Sequence, residues 1–122
     1  MPKKLNQLAA EERRVIIDKG TERPFTGKYN DFNEVGLYLC KQCDTPLYRS
    51  QDKFQSSCGW PSFDESIPGA VEYVRDTTFG MIRTEILCAN CGSHLGHVFD
   101  DGPTETGQRY CVNSASIDYD KN

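Results

Sequence analysis

The amino-acid sequence predicts a mainly β, antiparallel protein with helix only at its start. Three observations carry that expectation: one amphipathic stretch near the N-terminus, short apolar runs broken by Gly, Pro and Asn through the remainder, and two C-x-x-C pairs able to pin distant segments together. With 122 residues the chain is long enough to bury a core of its own. No low-complexity linker divides it and no repeat is visible beyond the two C-x-x-C pairs, so residues 1–122 are expected to form a single domain.

In chain order, residues 6–19 read as one amphipathic helix. Asn6 is the expected N-cap, Leu8, Val15 and Ile16 share an apolar side, and Gly20 is the expected stop. Residues 20–119 read as the β body. Its strand candidates are 36–39, 70–74, 79–88, 96–99, 109–112 and 115–119, each short and bounded by turn-forming residues. The tail, 118–122, is expected to fray.

Composition removes several classes of function. Charged residues at 26% and hydrophobic residues at 37% suit a folded soluble protein and not a disordered chain. The longest apolar runs, such as Val15-Ile16-Ile17, fall far short of the roughly 20 residues needed to span a bilayer. Lys3 and Lys4 are followed at once by Glu11, Glu12, Arg13 and Arg14 with no apolar leader between, so no signal peptide and a cytoplasmic location are expected. A net charge of −4 lacks the basic excess that neutralises phosphates, which argues against nucleic acid as a partner.

Six cysteines in a chain without an export signal need a chemical reason, because reducing compartments keep thiols free. Cys40 with Cys43 and Cys88 with Cys91 form two C-x-x-C knuckles, and four thiolates at tetrahedral geometry satisfy a structural Zn²⁺ with no open position. The long gap between Cys43 and Cys88 makes these knuckles a clamp between parts of the fold remote in sequence. Gly92 follows the second knuckle where a left-handed backbone is wanted, and Asp44 follows the first. A redox C-x-x-C, or disulfides of an exported protein with 15 possible connectivities, are the competing readings. His94 is close enough to Cys91 to be a substitute ligand.

Cys58 and Cys111 stand apart. Strand alternation places Arg109, Cys111 and Asn113 on one face, so a guanidinium and an amide flank the thiol, and a nearby cation favours the thiolate that attacks sulfur. A buried inert cysteine is the bland alternative. Cys58 sits in a stretch of Ser, Gly and Pro that reads as a loop from which one cysteine can reach another. Trp60, the only tryptophan, lies between Gly59 and Pro61 and is either a core aromatic or a pocket wall. His94 and His97 are the only histidines, three residues apart, and that clustering favours acid-base or hydrogen-bonding work.

The combination resembles the methionine sulfoxide reductases of the B class. The resemblance rests on residues 20–27, Cys40-Lys41-Gln42-Cys43, Cys58-Gly59-Trp60-Pro61-Ser62-Phe63, Arg83-Thr84-Glu85, residues 88–102 and Arg109-Tyr110-Cys111-Val112-Asn113-Ser114. Departures are small: Asp44 stands where a glycine is common, and a pair of serines precedes Cys58.

The resemblance implies two antiparallel sheets with small N-terminal helices, clamped by zinc. It implies reduction of the R epimer of methionine sulfoxide in proteins and peptides, with Cys111 as nucleophile and Cys58 as resolving cysteine. It further implies a cavity shaped by Trp60, His94, His97, Phe99, Arg109 and Asn113, a Cys111 sulfenic acid, a Cys58–Cys111 disulfide and regeneration by thioredoxin. The enzyme is expected to work as a monomer. A zinc-ribbon interaction module is the main rival, but it leaves Cys58, Trp60, Arg109 and Cys111 without a purpose.

Overall fold

The computed structural model describes residues 5–121 apart from 31, 33, 55–57, 78 and 79. The first four residues, Ser56 and Ser57 before Cys58, the start of the 79–88 strand candidate and Asn122 therefore lie outside the described residues.

The helix, α1, spans Ala10–Ile16 and is shorter than the 6–19 expected. Asn6 does not cap it. Its side chain donates instead to the Lys41 carbonyl (2.9 Å) and the Asp44 carboxylate (3.0 Å), fastening the N-terminal segment to the first knuckle. Ala9 takes the N-cap position, and its backbone N–H donates to Glu12 Oε1 at 2.8 Å, the returning half of a capping box. It stops because Lys19 turns left-handed (φ 59), while the Gly20 N–H reaches back to the Arg14 carbonyl at 2.8 Å. Gly20 supplies room rather than a positive φ, since a Cβ there would meet the Arg14 carbonyl. Val15 and Ile16 are buried, and α1 packs on the strand His94–Phe99 and on the turn at Ser114–Ser116; burying two such side chains is worth roughly 1.5–3 kcal/mol each.

Among the described residues, nine strands make two antiparallel sheets. The smaller has the order β2-β1-β9, from Pro46–Arg49, Leu37–Cys40 and Ile117–Asp120. The larger has the order β3-β4-β8-β7-β6-β5, from Lys53–Phe54, Ser62–Phe63, Arg109–Val112, His94–Phe99, Arg83–Cys88 and Val71–Asp76. β2, β3 and β4 were not expected; β3 and β4 are two residues each, too short for alternation to show, and Pro46 and Pro61 read as punctuation. The 115–119 candidate begins later, at Ile117, because the Ser114 and Ala115 N–H groups are taken by the Glu22 carboxylate instead of a strand partner. The tail does not fray through Asp120, which pairs with Leu37.

The sheets meet through aromatic side chains. Tyr48 stacks on Phe63 (centroids 4.4 Å apart) and packs edge-on to Tyr110, while Tyr38 packs edge-on to Phe63. Ile86, Val98, Tyr110 and Val112 complete this side of the larger sheet and are buried. No helix among the described residues is long and apolar enough to cross a membrane.

Candidate active site

Cross-strand register lays a row of residues on the other side of the larger sheet. Glu85 pairs with His97, His97 with Cys111, and Cys111 with Ser62, so these four side chains share one face. Phe99 pairs with Arg109, and Asp76 with Arg83, on the same face.

His94 joins that face through a bulge. Ile86 pairs with Gly96 but Leu87 pairs with His94, so one residue of β7 is extra and the parity of its side chains switches. On its other edge β7 keeps step with β8, and the Leu95 carbonyl accepts the Asn113 backbone N–H (2.9 Å) and its side-chain Nδ2–H (3.1 Å). Gly96 is required here by contact, since a Cβ would overlap the Cys111 carbonyl.

A cavity of about 230 Å³ opens on this face, lined by Cys58, Trp60, His97, Phe99, Arg109, Cys111 and Asn113, with Thr21, Arg83 and Gly96. The structure thus brings seven of the eight expected cavity residues together. His94 is the exception: it lines a neighbouring cavity of about 340 Å³ with Lys19, Glu85 and Asp76, and the two cavities share Thr21, Arg83 and His97.

Cys58 Sγ and Cys111 Sγ are 3.3 Å apart and unbonded. Arg109 Nη1 donates to Cys111 Sγ at 2.7 Å, while its Nε and Nη2 grip the Asp101 carboxylate at 2.7 and 3.0 Å. The guanidinium also lies over Phe99, 4.6 Å from the ring centroid. Cys58 beside it, then burial, push the Cys111 thiol up, and Arg109 pulls it down. Two sulfurs this close cannot both ionise cheaply, so the pair gives up its protons one at a time. Cys58 has somewhere to leave its proton, with the Trp60 carbonyl at 3.5 Å and Ser62 Oγ at 3.3 Å.

Each histidine has a carboxylate. His94 Nδ1 lies 2.7 Å from Glu85 Oε2, both residues buried, with Lys19 Nζ 3.4 Å from the same carboxylate. Burial lowers the His94 imidazole below its ordinary value of 6.5 against the pull of Glu85. His97 Nε2 lies 2.8 Å from Asp76 Oδ2, which also accepts from Arg83 Nη2 at 3.3 Å.

Glu22 is the residue that sequence reasoning passed over, although it lies within the 20–27 motif. Buried to 6% exposure, it accepts the Trp60 indole N–H on its backbone carbonyl (3.0 Å), donates its own N–H to Asn113 Oδ1 (3.1 Å), and accepts the N–H groups of Ser114 and Ala115 on its carboxylate. Burial raises its carboxyl against the lowering by those two N–H bonds. Both ends of the Asn113 amide are thereby engaged in holding backbone.

The four other cysteines converge elsewhere, with all Sγ atoms within 4.8 Å of one another. The knuckles are copies: Asp44 N–H donates to the Cys40 carbonyl and Gly92 N–H to the Cys88 carbonyl, each at 2.8 Å, with φ of 64 at Asp44 and 79 at Gly92. Cys40–Cys91 and Cys43–Cys88 sulfur separations are 3.5 and 3.6 Å, close to the ~3.8 Å edge of a tetrahedron of thiolates at Zn–S distances near 2.3 Å. The hydrogen bond from Cys40 is the largest cause pulling the Cys88 thiol down to about 5, and correspondingly pushes Cys40 up. Such a closed, mostly buried set of soft donors can hold a metal ion. His94 is not needed there, its Nδ1 being held by Glu85.

Comparison with known proteins places these features in a family. The SelR domain family matches residues 8–121. "Peptide methionine sulfoxide reductase MsrB" of Teredinibacter turnerae is 56% identical over 117 residues, covering 95% of this chain and 87% of the relative. The protein of that name from Agrobacterium fabrum is 57% identical over 112 residues (91% and 83%), and that from Variovorax paradoxus 59% over 102 (83% and 75%).

Proposed function

The chain belongs to the SelR-domain family of methionine sulfoxide reductases B, and from that membership we propose that it reduces methionine R-sulfoxide in proteins and peptides through Cys111 and Cys58. It is an oxidoreductase acting on methionine sulfoxide; the cycle below is our reading of how these residues do it. The observation that carries it is the 3.3 Å approach of the Cys58 and Cys111 sulfurs in a cavity where a guanidinium donates to one of them.

Cys111 carries the first negative charge, because Arg109 donates to it while Cys58 has the Trp60 carbonyl for its proton. The thiolate bonds to the sulfoxide sulfur as a proton is delivered to its oxygen; the hydroxyl then passes to Cys111 sulfur while the S–O bond and the new S–S bond break, so that methionine leaves and Cys111 is a sulfenic acid. His97, opposite Cys111 on the next strand, supplies that proton, a service worth roughly 10²–10⁴ in rate. His94 supports it from behind. Trp60 and Phe99 form the apolar wall for the substrate methyl, worth about 0.8 kcal/mol of burial. Asn113 acts by fixing the Glu22 segment and the bulge.

Cys58 then attacks Cys111 sulfur, water leaves, and a disulfide forms that an external dithiol of the thioredoxin type reduces. Every group in the cycle comes from one chain, which suits a monomer, and the need for reducing equivalents suits the cytoplasm. Cys40, Cys43, Cys88 and Cys91 would hold a structural Zn²⁺, which supplies cross-linking and no chemistry at the cavity.

The test is turnover with each sulfoxide epimer and a dithiol, followed by peptide mapping. R-sulfoxide should be consumed, S-sulfoxide left, and a Cys58–Cys111 disulfide found after one equivalent of substrate without reductant. Consumption of the S epimer, or disulfides only among the other four cysteines, would refute the reading.

A further inference from the structure

We infer that Asp76 is a positioning residue for the reaction, fixing His97 in the Nε2–H tautomer so that Nδ1 is the nitrogen that meets the sulfoxide oxygen. This rests on the reading of His97 given above. An ionised carboxylate only accepts hydrogen bonds, so the 2.8 Å contact from His97 Nε2 to Asp76 Oδ2 commits the proton of a neutral ring to Nε2. Nδ1 is then left for the cavity that His97 lines.

The carboxylate is itself held. Arg83, its partner across the β5–β6 ladder, donates to the same oxygen, and the Asp76 side chain is only 13% exposed. The other charged or titratable groups near His97 cannot take over this task. Glu85, its cross-strand partner, is engaged by His94 and Lys19, and His94, with centroids 5.7 Å from His97, meets it edge-on. Cys111, on the strand beyond, is engaged by Arg109 and Cys58. When His97 holds a second proton, Asp76 faces the imidazolium with an opposite charge, and after the proton passes to oxygen the ring returns to the same tautomer without turning.

Two measurements on the full chain test this. Nitrogen-15 NMR of the reduced protein, with the His97 signals identified by their loss in His97→Asn, should show a protonated Nε2 and an unprotonated Nδ1 in the neutral ring; the opposite tautomer overturns the inference. Asp76→Asn should slow first-turnover methionine formation roughly ten- to a hundredfold while leaving KM within about twofold, and Asp76→Glu should recover part of the rate. In a His97→Asn background the same change should add less than about a twofold loss. Equal losses in both backgrounds, or no loss in either, overturn it. If Asp76→Asn fails to fold, the wild-type spectrum decides alone. Wild-type protein that forms no methionine would instead refute the reaction, whichever tautomer it shows.

Discussion

The indole N–H of Trp60 donates to the backbone carbonyl of Glu22 at 3.0 Å, so the orientation of the cavity's tryptophan depends on where a buried carboxylate has anchored its own backbone. Glu22→Gln tests this dependence. The amide turns an NH₂ donor toward an N–H of Ser114 or Ala115, leaving buried groups unpaired at a cost of about 1–3 kcal/mol. The urea midpoint should fall accordingly and Trp60 emission should change in the folded protein. An unaltered midpoint would show that the anchor is dispensable.

The two cavity cysteines should separate kinetically. Cys111→Ser should form no methionine even in a single turnover, because serine is a poor nucleophile toward sulfur. Cys58→Ser should release about one methionine per enzyme and then stall as the sulfenic acid. Rapid quench without reductant measures both, and the reverse pattern would exchange the roles.

Metal analysis of protein purified without chelator should find one zinc per chain. Removing it, or replacing one ligand as in Cys88→Ser, should abolish cooperative melting or lower it steeply, since structural zinc in small peptides binds with roughly 10–16 kcal/mol. Cys88 ties β6 of the larger sheet to Cys40 and Cys43 at the end of β1. Zinc-free protein that melts like the wild type would remove the clamp from the account.

Burial holds His94 below its ordinary value of 6.5, which gives a pH signature. A lowered value means that the unfolded chain takes up the proton first as pH falls. The stability contributed by neutral His94 is therefore complete above 6.5 and is lost as pH drops from there through the folded value. Urea titrations at several pH values should show wild type losing more stability than His94→Asn over that window. Parallel slopes would mean that His94 is not kept neutral by the fold.

Much of the site could be read from the chain because the relevant signals are local. The knuckles are four-residue motifs, and the Arg109-Cys111-Asn113 alternation needs only a strand. What could not be read depends on register. Nothing local reveals that His97 sits opposite Cys111, or that Asp76 and Glu85 each reach a histidine, since these pairings are set by how strands align. The helix was over-extended because Asn6 and Gly20 look like cap and stop, whereas tertiary partners at Lys41 and Asp44 claim Asn6 and Lys19 takes the left-handed turn. Two-residue strands such as β3 and β4 exist only because their neighbours do.

The extra residue in β7 makes chain length itself a functional quantity between Cys91 and His97. Deleting Leu95 would close the bulge into a regular ladder with His94 still opposite Leu87, but it would remove a buried core side chain and leave Asn113 to bond the His94 carbonyl that now accepts Ser116 Oγ–H. Adding a residue there would displace His97 from Cys111 or pull on the second knuckle. The connection from 100 to 108 bears no such constraint of count on either centre, beyond returning Arg109 to Phe99 and carrying Asp101. Loop grafts, tags or domain insertions in this scaffold therefore belong in that return and never between the knuckle and the histidine, where one residue more or less disturbs the bulge through which His94 and His97, three residues apart, share a face.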